Sequence, residues 1–239
     1  MLVALSAIAS EQASPTRAKM KKVDQFLDYV ASQKQAVLTY EASGMVLKVH
    51  SDASYLSESK ARSRAGGHFF MSKDVSYPPN NGSVLNIAQI TKTIMYSVAE
   101  TEIGAMYVNA REGVPARQRL NEMGHHQPRT PMQTDNTAAH SIITNNVQPK
   151  RTKEMDTPFH WLQCRDAQEQ LIYYWRPGSQ NWADYWIKHF PASHHINMRS
   201  ELLTPARNLE DLKGQRMKSI LAVKLAQVLA DSSPAMRLC

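Results

Sequence analysis

Apolar positions along this chain recur with two different periods, and the change of period marks out the elements. Met20, Val23, Phe26, Leu27 and Val30 repeat at helical spacing, while Lys19, Lys21 and Lys22 take the opposite side. Ser14 and Pro15 supply an N-cap and a first helical residue, so the pattern predicts a helix from 15 to about 33. From Gly44 the run Met45-Val46-Leu47-Lys48-Val49-His50 predicts a strand leading into Ser51-Asp52-Ala53-Ser54. A polar loop carrying Arg62 and Arg64 separates it from a second short strand over 67–71. The turn residues Tyr77-Pro78-Pro79-Asn80-Asn81-Gly82 then lead to a third strand over 84–88. Three strands joined by short connections predict an antiparallel meander.

A long helix follows from 97 toward 120, closed by Gly124, with Pro115 expected to kink or split it. A short strand over 131–135 has an acid at its tail, a short helix is expected over 136–145, and another over 157–168. Leu171-Ile172-Tyr173-Tyr174-Trp175 is the fifth strand, ended by Arg176-Pro177-Gly178, and a last short helix covers 183–187. The order is an α/β plan: a meander extended by strands that reach the sheet through helices. A tail begins after Ser200, with a helical stretch over 217–229. The apolar opening, Leu2 to Ile8, is too short to span a bilayer and is expected to end a packed element; no membrane association is expected.

Composition narrows the partners. A chain of 239 residues can bury one good core with a helical annex, and 42% hydrophobic with 21% charged residues excludes a fibrous or disordered protein. The formal charge of +7 favours a polyanionic partner. Cys164 and Cys239 are too far apart in sequence for a metal-ligand motif and form no disulfide framework, which fits a reducing, intracellular and cytoplasmic setting.

Four carboxylates fall at predicted strand ends or helix starts: Asp52, Glu102, Asp135 and Asp184. Dozens of residues separate each from the next, so only the fold can bring them together. Asp52 and Asp135 would end adjacent strands on one edge of the sheet, where α/β sheets tend to place sites. Clustered carboxylates repel unless a cation joins them, and hard oxygen ligands select Mg²⁺ or Mn²⁺. Two such ions about 3.5–4 Å apart can activate water and stabilise the leaving oxygen of a phosphodiester. Acids in these positions are also common as caps and solvated charges, so the pattern alone leaves the function open. Between Glu100 and Glu102, Ser97-Val98-Ala99-Glu100 matches a capping box, which occupies Glu100 and leaves Glu102 free.

Four segments carry a resemblance to a family. Ser51-Asp52-Ala53-Ser54-Tyr55, Ala99-Glu100-Thr101-Glu102-Ile103-Gly104-Ala105, Gln133-Thr134-Asp135-Asn136 and Asn181-Trp182-Ala183-Asp184-Tyr185-Trp186-Ile187-Lys188 come in the order of the ribonuclease H domain of copia-type retrotransposon polyproteins, which they resemble. The segments 149–156 and Phe159-His160-Trp161 resemble that family's stretch between the third acid and the fifth strand. The resemblance implies a five-stranded mixed sheet flanked by helices, with two-metal hydrolysis of the RNA strand of an RNA/DNA hybrid. Asp52, Glu102, Asp135 and Asp184 would hold two Mg²⁺ or Mn²⁺ ions, Asp52 bridging both. It also divides the chain into 1–40, resembling the end of the reverse transcriptase and its connection, a ribonuclease H-like domain over 41–200, and a basic helical or disordered tail over 201–239. The reverse transcriptase portion of the same polyprotein is then a partner. Bacterial-type enzymes of this class carry a histidine in the loop before the last aspartate; here that loop is Arg176-Pro177-Gly178-Ser179-Gln180-Asn181. Turnover is therefore expected to be slower, unless His189 helps.

Further residues bear on nucleic acid. Ser54, Arg62, Arg64, Asn136, Lys150, Arg151 and Lys153 are candidates for contacts to the hybrid, though solvated loop charges would read the same way. His189, His194 and His195 lack the cysteines or helical motif of a zinc site and are expected to be surface or groove-lining. Trp175, Trp182 and Trp186 are expected to pack in the core and against helices. The rival reading is a catalytically inactive domain of the same fold that binds nucleic acid without hydrolysing it.

Overall fold

Residues 46–53 alternate between two buried faces rather than between core and water: Val46 to Ala53 are all buried. A strand with that pattern belongs in the middle of a sheet, and the computed structural model puts it there. The structure describes residues 2–33, 36–144 and 153–203. Lys150, Arg151, the expected helix over 217–229 and Cys239 lie outside the described residues, as does the side chain of Lys153.

The five strands β1 (Val46–Glu58), β2 (Arg62–Ser72), β3 (Ser83–Ile90), β4 (Thr130–Thr134) and β5 (Leu171–Trp175) form one sheet in the order β3-β2-β1-β4-β5. The first three pair antiparallel as a meander, and β4 and β5 join parallel, as the resemblance implied. The helices are α1 (Leu2–Ser10), α2 (Arg17–Ala31), α3 (Val98–Glu122), α4 (Thr137–Thr144), α5 (Lys153–Ala167), α6 (Asp184–Ile187) and α7 (Ala192–Leu202). Among the described residues no helix is long and apolar enough to cross a membrane.

Two adjacent glycines show that both faces are covered. A Cβ on Gly66 would strike Ile187 of α6, at 2.8 Å, and one on Gly67 would strike Asn109 of α3, at 2.1 Å. Neighbouring strand residues point to opposite faces, so α3 and α6 cover opposite sides of β2. The core lies on the α3 side, where Leu47, Val49, Phe69, Met106, Met132, Leu162 and Leu171 meet.

Several expectations are corrected. The N-cap of α2 is Thr16, whose hydroxyl accepts from Lys19 N at 3.3 Å, so Pro15 precedes the helix instead of opening it. β1 runs to Glu58, so Asp52 lies inside the strand and not at its end. The residues expected as a polar loop around Arg62 and Arg64 are the first part of β2. Arg64 is fully buried; its Nε donates to Glu58 Oε1 at 2.7 Å and its Nη1 to Ala88 O at 3.2 Å. It braces the meander and has no surface to offer a phosphate. Pro115 lies within one continuous helix and does not split it. The helix over residues after 190, α7, was not foreseen in the sequence; it packs His194 on Phe190 and bonds His195 to Tyr185.

Candidate active site

The site forms where β4 stops and β1 continues. β1 and β4 pair at Val49↔Met132 and His50↔Gln133, so Asp52 and Asp135 each lie two residues past the last pair and come side by side. Beyond Thr134, β1 has lost its neighbour on that edge, and its backbone groups need other partners. Side chains provide them: Ser51 O accepts from Asn181 Nδ2 at 2.8 Å, and Ala53 N donates to Glu102 Oε1 at 3.3 Å. The open edge therefore draws in Glu102 from one face and the segment before α6 from the other.

Each acid arrives by a different route. Asp52 sits opposite Gly66, so its side chain shares the face covered by α6. Glu102 lies on the first turns of α3, whose start is fixed by Ser97 accepting from Glu100 N at 3.2 Å. Glu100 Oε2 accepts from Tyr96 N at 2.9 Å. Glu100 is thus engaged in closing the helix start, as the capping argument required, although it bonds Tyr96 rather than Ser97. Asp135 follows β4; its carbonyl accepts from Trp175 Nε1 at 2.8 Å. Gly178 lies against its carboxylate so closely that a Cβ there would be 2.7 Å from Asp135 Oδ2. Asn136 is used in capping α4, its Oδ1 accepting from Ala139 N at 2.9 Å.

Asp52, Glu102 and Asp135 each offer a carboxylate oxygen within 4.8 Å of the others, the grouping among the described residues able to hold a metal ion. Asp184 is not in that grouping. It stands on the α6 side, ion-paired through Oδ1 with Lys188, whose Nζ is also 3.3 Å from Asp52 Oδ2. Asp52 is common to both sides.

Burial pushes the carboxyl of Asp52 well above the usual range, and neighbouring Asp184 and Glu102 add to it while Lys188 opposes. Burial, then the charge of Asp135, pushes Glu102 up to about 8. Asp135 is raised chiefly by its own partial burial. Burial pulls the Lys188 ammonium down, but Asp52 and Asp184 outweigh it and hold it up at about 12. Among the described residues, the buried Asp52 Oδ2 and Glu102 Oε2 receive no hydrogen bond, and of the two only Asp52 Oδ2 faces a cation, Lys188. Oxygens left in that state are costly unless a cation meets them, and an all-oxygen donor set fits Mg²⁺ or Mn²⁺.

Supporting residues were harder to find in the sequence. Asn109 Nδ2 donates to Ser51 Oγ at 2.9 Å and to Gly66 O at 2.7 Å, tying α3 to β1 and β2 behind the acids. Gln133 Nε2 donates to Gln180 O at 2.9 Å and holds the loop that carries Gly178. Trp182 and Trp186 stack on the buried His68, seating α6, which accords with the packing role expected of them. Of the nucleic-acid candidates, Ser54 and Arg62 are half-buried on β1 and β2, and Arg62 Nε donates to Ser59 O.

No protein-family model matches the chain. Over 178 residues it is 23% identical to the retrovirus-related Pol polyprotein from transposon TNT 1-94 of Nicotiana tabacum, covering 74% of this chain and 13% of the polyprotein. The chain therefore spans a small part of that relative's length. Solved structures with similarity include LC11-RNase H1, isolated from compost by a metagenomic approach, at 10% identity and TM-score 0.44, covering 60% of this chain and 93% of that one. The N-terminal RNase H domain of a Mycobacterium tuberculosis protein, solved as a fusion with maltose-binding protein, gives 11% identity and TM-score 0.40 over 65% of this chain and 96% of that one. LC11-RNase H1 has also been solved in complex with an RNA/DNA hybrid. The chain is thus similar in sequence to a stretch of a Pol polyprotein, and its sheet order β3-β2-β1-β4-β5 is that of the five-stranded mixed sheet expected from the sequence.

Proposed function

We propose that this chain is a metal-dependent endonuclease that hydrolyses the RNA strand of RNA/DNA hybrids during reverse transcription of a copia-type retroelement, inside the cell. One observation carries the reading: acids from β1, α3 and the end of β4 meet within 4.8 Å of one another, and the buried Oε2 of Glu102 has no hydrogen-bond partner among the described residues.

When bound, two Mg²⁺ or Mn²⁺ ions would supply an activated water and charge stabilisation at the leaving oxygen. Asp52, Glu102 and Asp135 would hold one ion, with Asp52 and Asp184 contributing to the other. The protein's own part is to fix these oxygens in advance. Ala53 N orients Glu102, Gly178 leaves Asp135 its room, and the pairing of β1 with β4 sets Asp52 beside Asp135. Such preorganisation means little rearrangement is needed as charge develops in the transition state. The net charge of +7 suits a polyanionic duplex. Residues 1–40 and the reverse transcriptase portion of a longer polyprotein would then flank the domain and present the hybrid to it.

The test is cleavage of a hybrid with labelled RNA by the purified full chain. Cutting should require Mg²⁺ or Mn²⁺, spare the DNA strand, and disappear in Asp135→Asn. Equal cleavage by wild type and Asp135→Asn would refute the assignment. Salt-sensitive binding by a wild type that never cuts would favour the inactive, hybrid-binding alternative.

A further inference from the structure

We propose that Lys188 is a tethered cation that occupies the Asp52–Asp184 side of the carboxylate cluster, so that a second divalent ion enters only as the ammonium leaves. The inference rests on the metal-dependent reading above and specifies the control of that same site.

Three features lead to it. First, the Lys188 ammonium is shared: Nζ is paired with Asp184 Oδ1 and lies 3.3 Å from Asp52 Oδ2, which belongs also to the Asp52–Glu102–Asp135 group. Second, both of these oxygens are buried, and the Lys188 ammonium is the cation set against them among the described residues. The ammonium holds them by charge, which is how a metal ion would hold them. Third, the side chain of Lys188 is 41% exposed and follows the last residue of the four-residue α6, so its stem can swing to water without disturbing the core.

A monovalent charge on a flexible stem suits a placeholder. It offsets the repulsion among buried acids while no ion is present, and it yields to an ion of twice the charge. Among the described residues, neither Glu102 nor Asp135 is ion-paired with a basic side chain, and Lys188 meets that group through Asp52. The two ions should therefore bind unequally, the first among the three acids and the second in competition with Lys188.

Calorimetric titration of the full chain with Mn²⁺ alone reads this without any cleavage assay. Lys188→Met keeps the stem and removes the charge, and should tighten the second Mn²⁺ by about tenfold while moving the first far less. Lys188→Gln should shift the isotherm in the same direction, and Lys188→Arg should leave the second ion weak. In EDTA, Lys188→Met should melt below wild type, and the gap should close as Mn²⁺ is added. A second-ion affinity unchanged in both neutral variants would overturn the inference while leaving the nuclease reading intact. A wild-type chain that takes up no Mn²⁺ and cuts no hybrid would overturn both.

Discussion

Replacing Glu102 by Gln removes one buried charge and keeps the shape of the side chain. Glu102 is only 3% exposed, its Oε1 accepts from Ala53 N, and its Oε2 has no hydrogen-bond partner among the described residues. An amide oxygen can still accept from Ala53 N, so the main loss is ionisation. In the folded state the carboxyl is raised from 4.5 to about 8, by burial first and then by Asp135. The sign follows from proton counts. Between those two values the unfolded chain has given up the proton while the folded chain keeps it, so stability falls as pH rises through that window. A displacement of this size corresponds to on the order of 5 kcal/mol by pH 8 or above, and Asp52, raised for the same reason, adds in the same direction. Without divalent ions, Glu102→Gln should therefore be more stable than wild type at pH 8, by roughly 3 kcal/mol or about 6–12 °C in Tm. Near pH 4.5 the two should melt together. Added Mg²⁺ should raise the wild type at pH 8 and do much less for the variant, which should also lose cleavage. The assay is thermal unfolding by circular dichroism across pH 4.5–8, with EDTA or with Mg²⁺. A wild type whose Tm does not fall from pH 5 to 8 in EDTA, or a variant that is the less stable at pH 8, would refute the reasoning.

Other substitutions separate the site from its scaffold. Gly178→Ala places a methyl 2.7 Å from Asp135 Oδ2, too close for the carboxylate to stay where it is, and should cut hybrid cleavage by about a hundredfold while moving Tm by little, measured side by side on one preparation. Arg64→Ala leaves Glu58 unpaired and opens a cavity between β2 and β3, so it should cost about 3–5 kcal/mol in urea unfolding. Arg62→Ala, on the half-exposed neighbour, should cost under about 0.5 kcal/mol, and a loss comparable to that of Arg64→Ala would mean that Arg62 too is held inside the sheet.

The sequence was most legible where an element is short and bounded by its own chemistry. β5 matches its expected limits because five apolar residues are closed by Arg176-Pro177-Gly178. The choice of Glu102 over Glu100 follows from a local cap that physics can weigh, and the hydrogen bonds of Glu100 support it. Less legible was anything that a partner decides. Arg62 and Arg64 read as loop because charge argues against a strand, yet Glu58 and Ala88 O satisfy Arg64 inside the sheet. Asp52 read as a strand end because it follows the apolar run, but β2 continues to pair with β1 beyond it. Pro115 argued for a break, but packing of α3 on β1 and β2 carries the helix past it. Gly178 and Lys188 matter through where the fold sets them, against Asp135 and Asp52 respectively, and nothing in their local sequence announces that.

The parallel pairing of Val49 with Met132 and His50 with Gln133 sets a phase as well as a contact. Strand residues advance by about 3.3 Å and change face at every step. Deleting one residue between 130 and 135 would turn Asp135 to the wrong side, and deleting two would return it to the right side but about 6.6 Å short. Length changes in the β1–β2 hairpin tip carry no such penalty for the acids. Related sequences should accordingly vary in length around 55–61 and hold the count from 130 to 135 fixed.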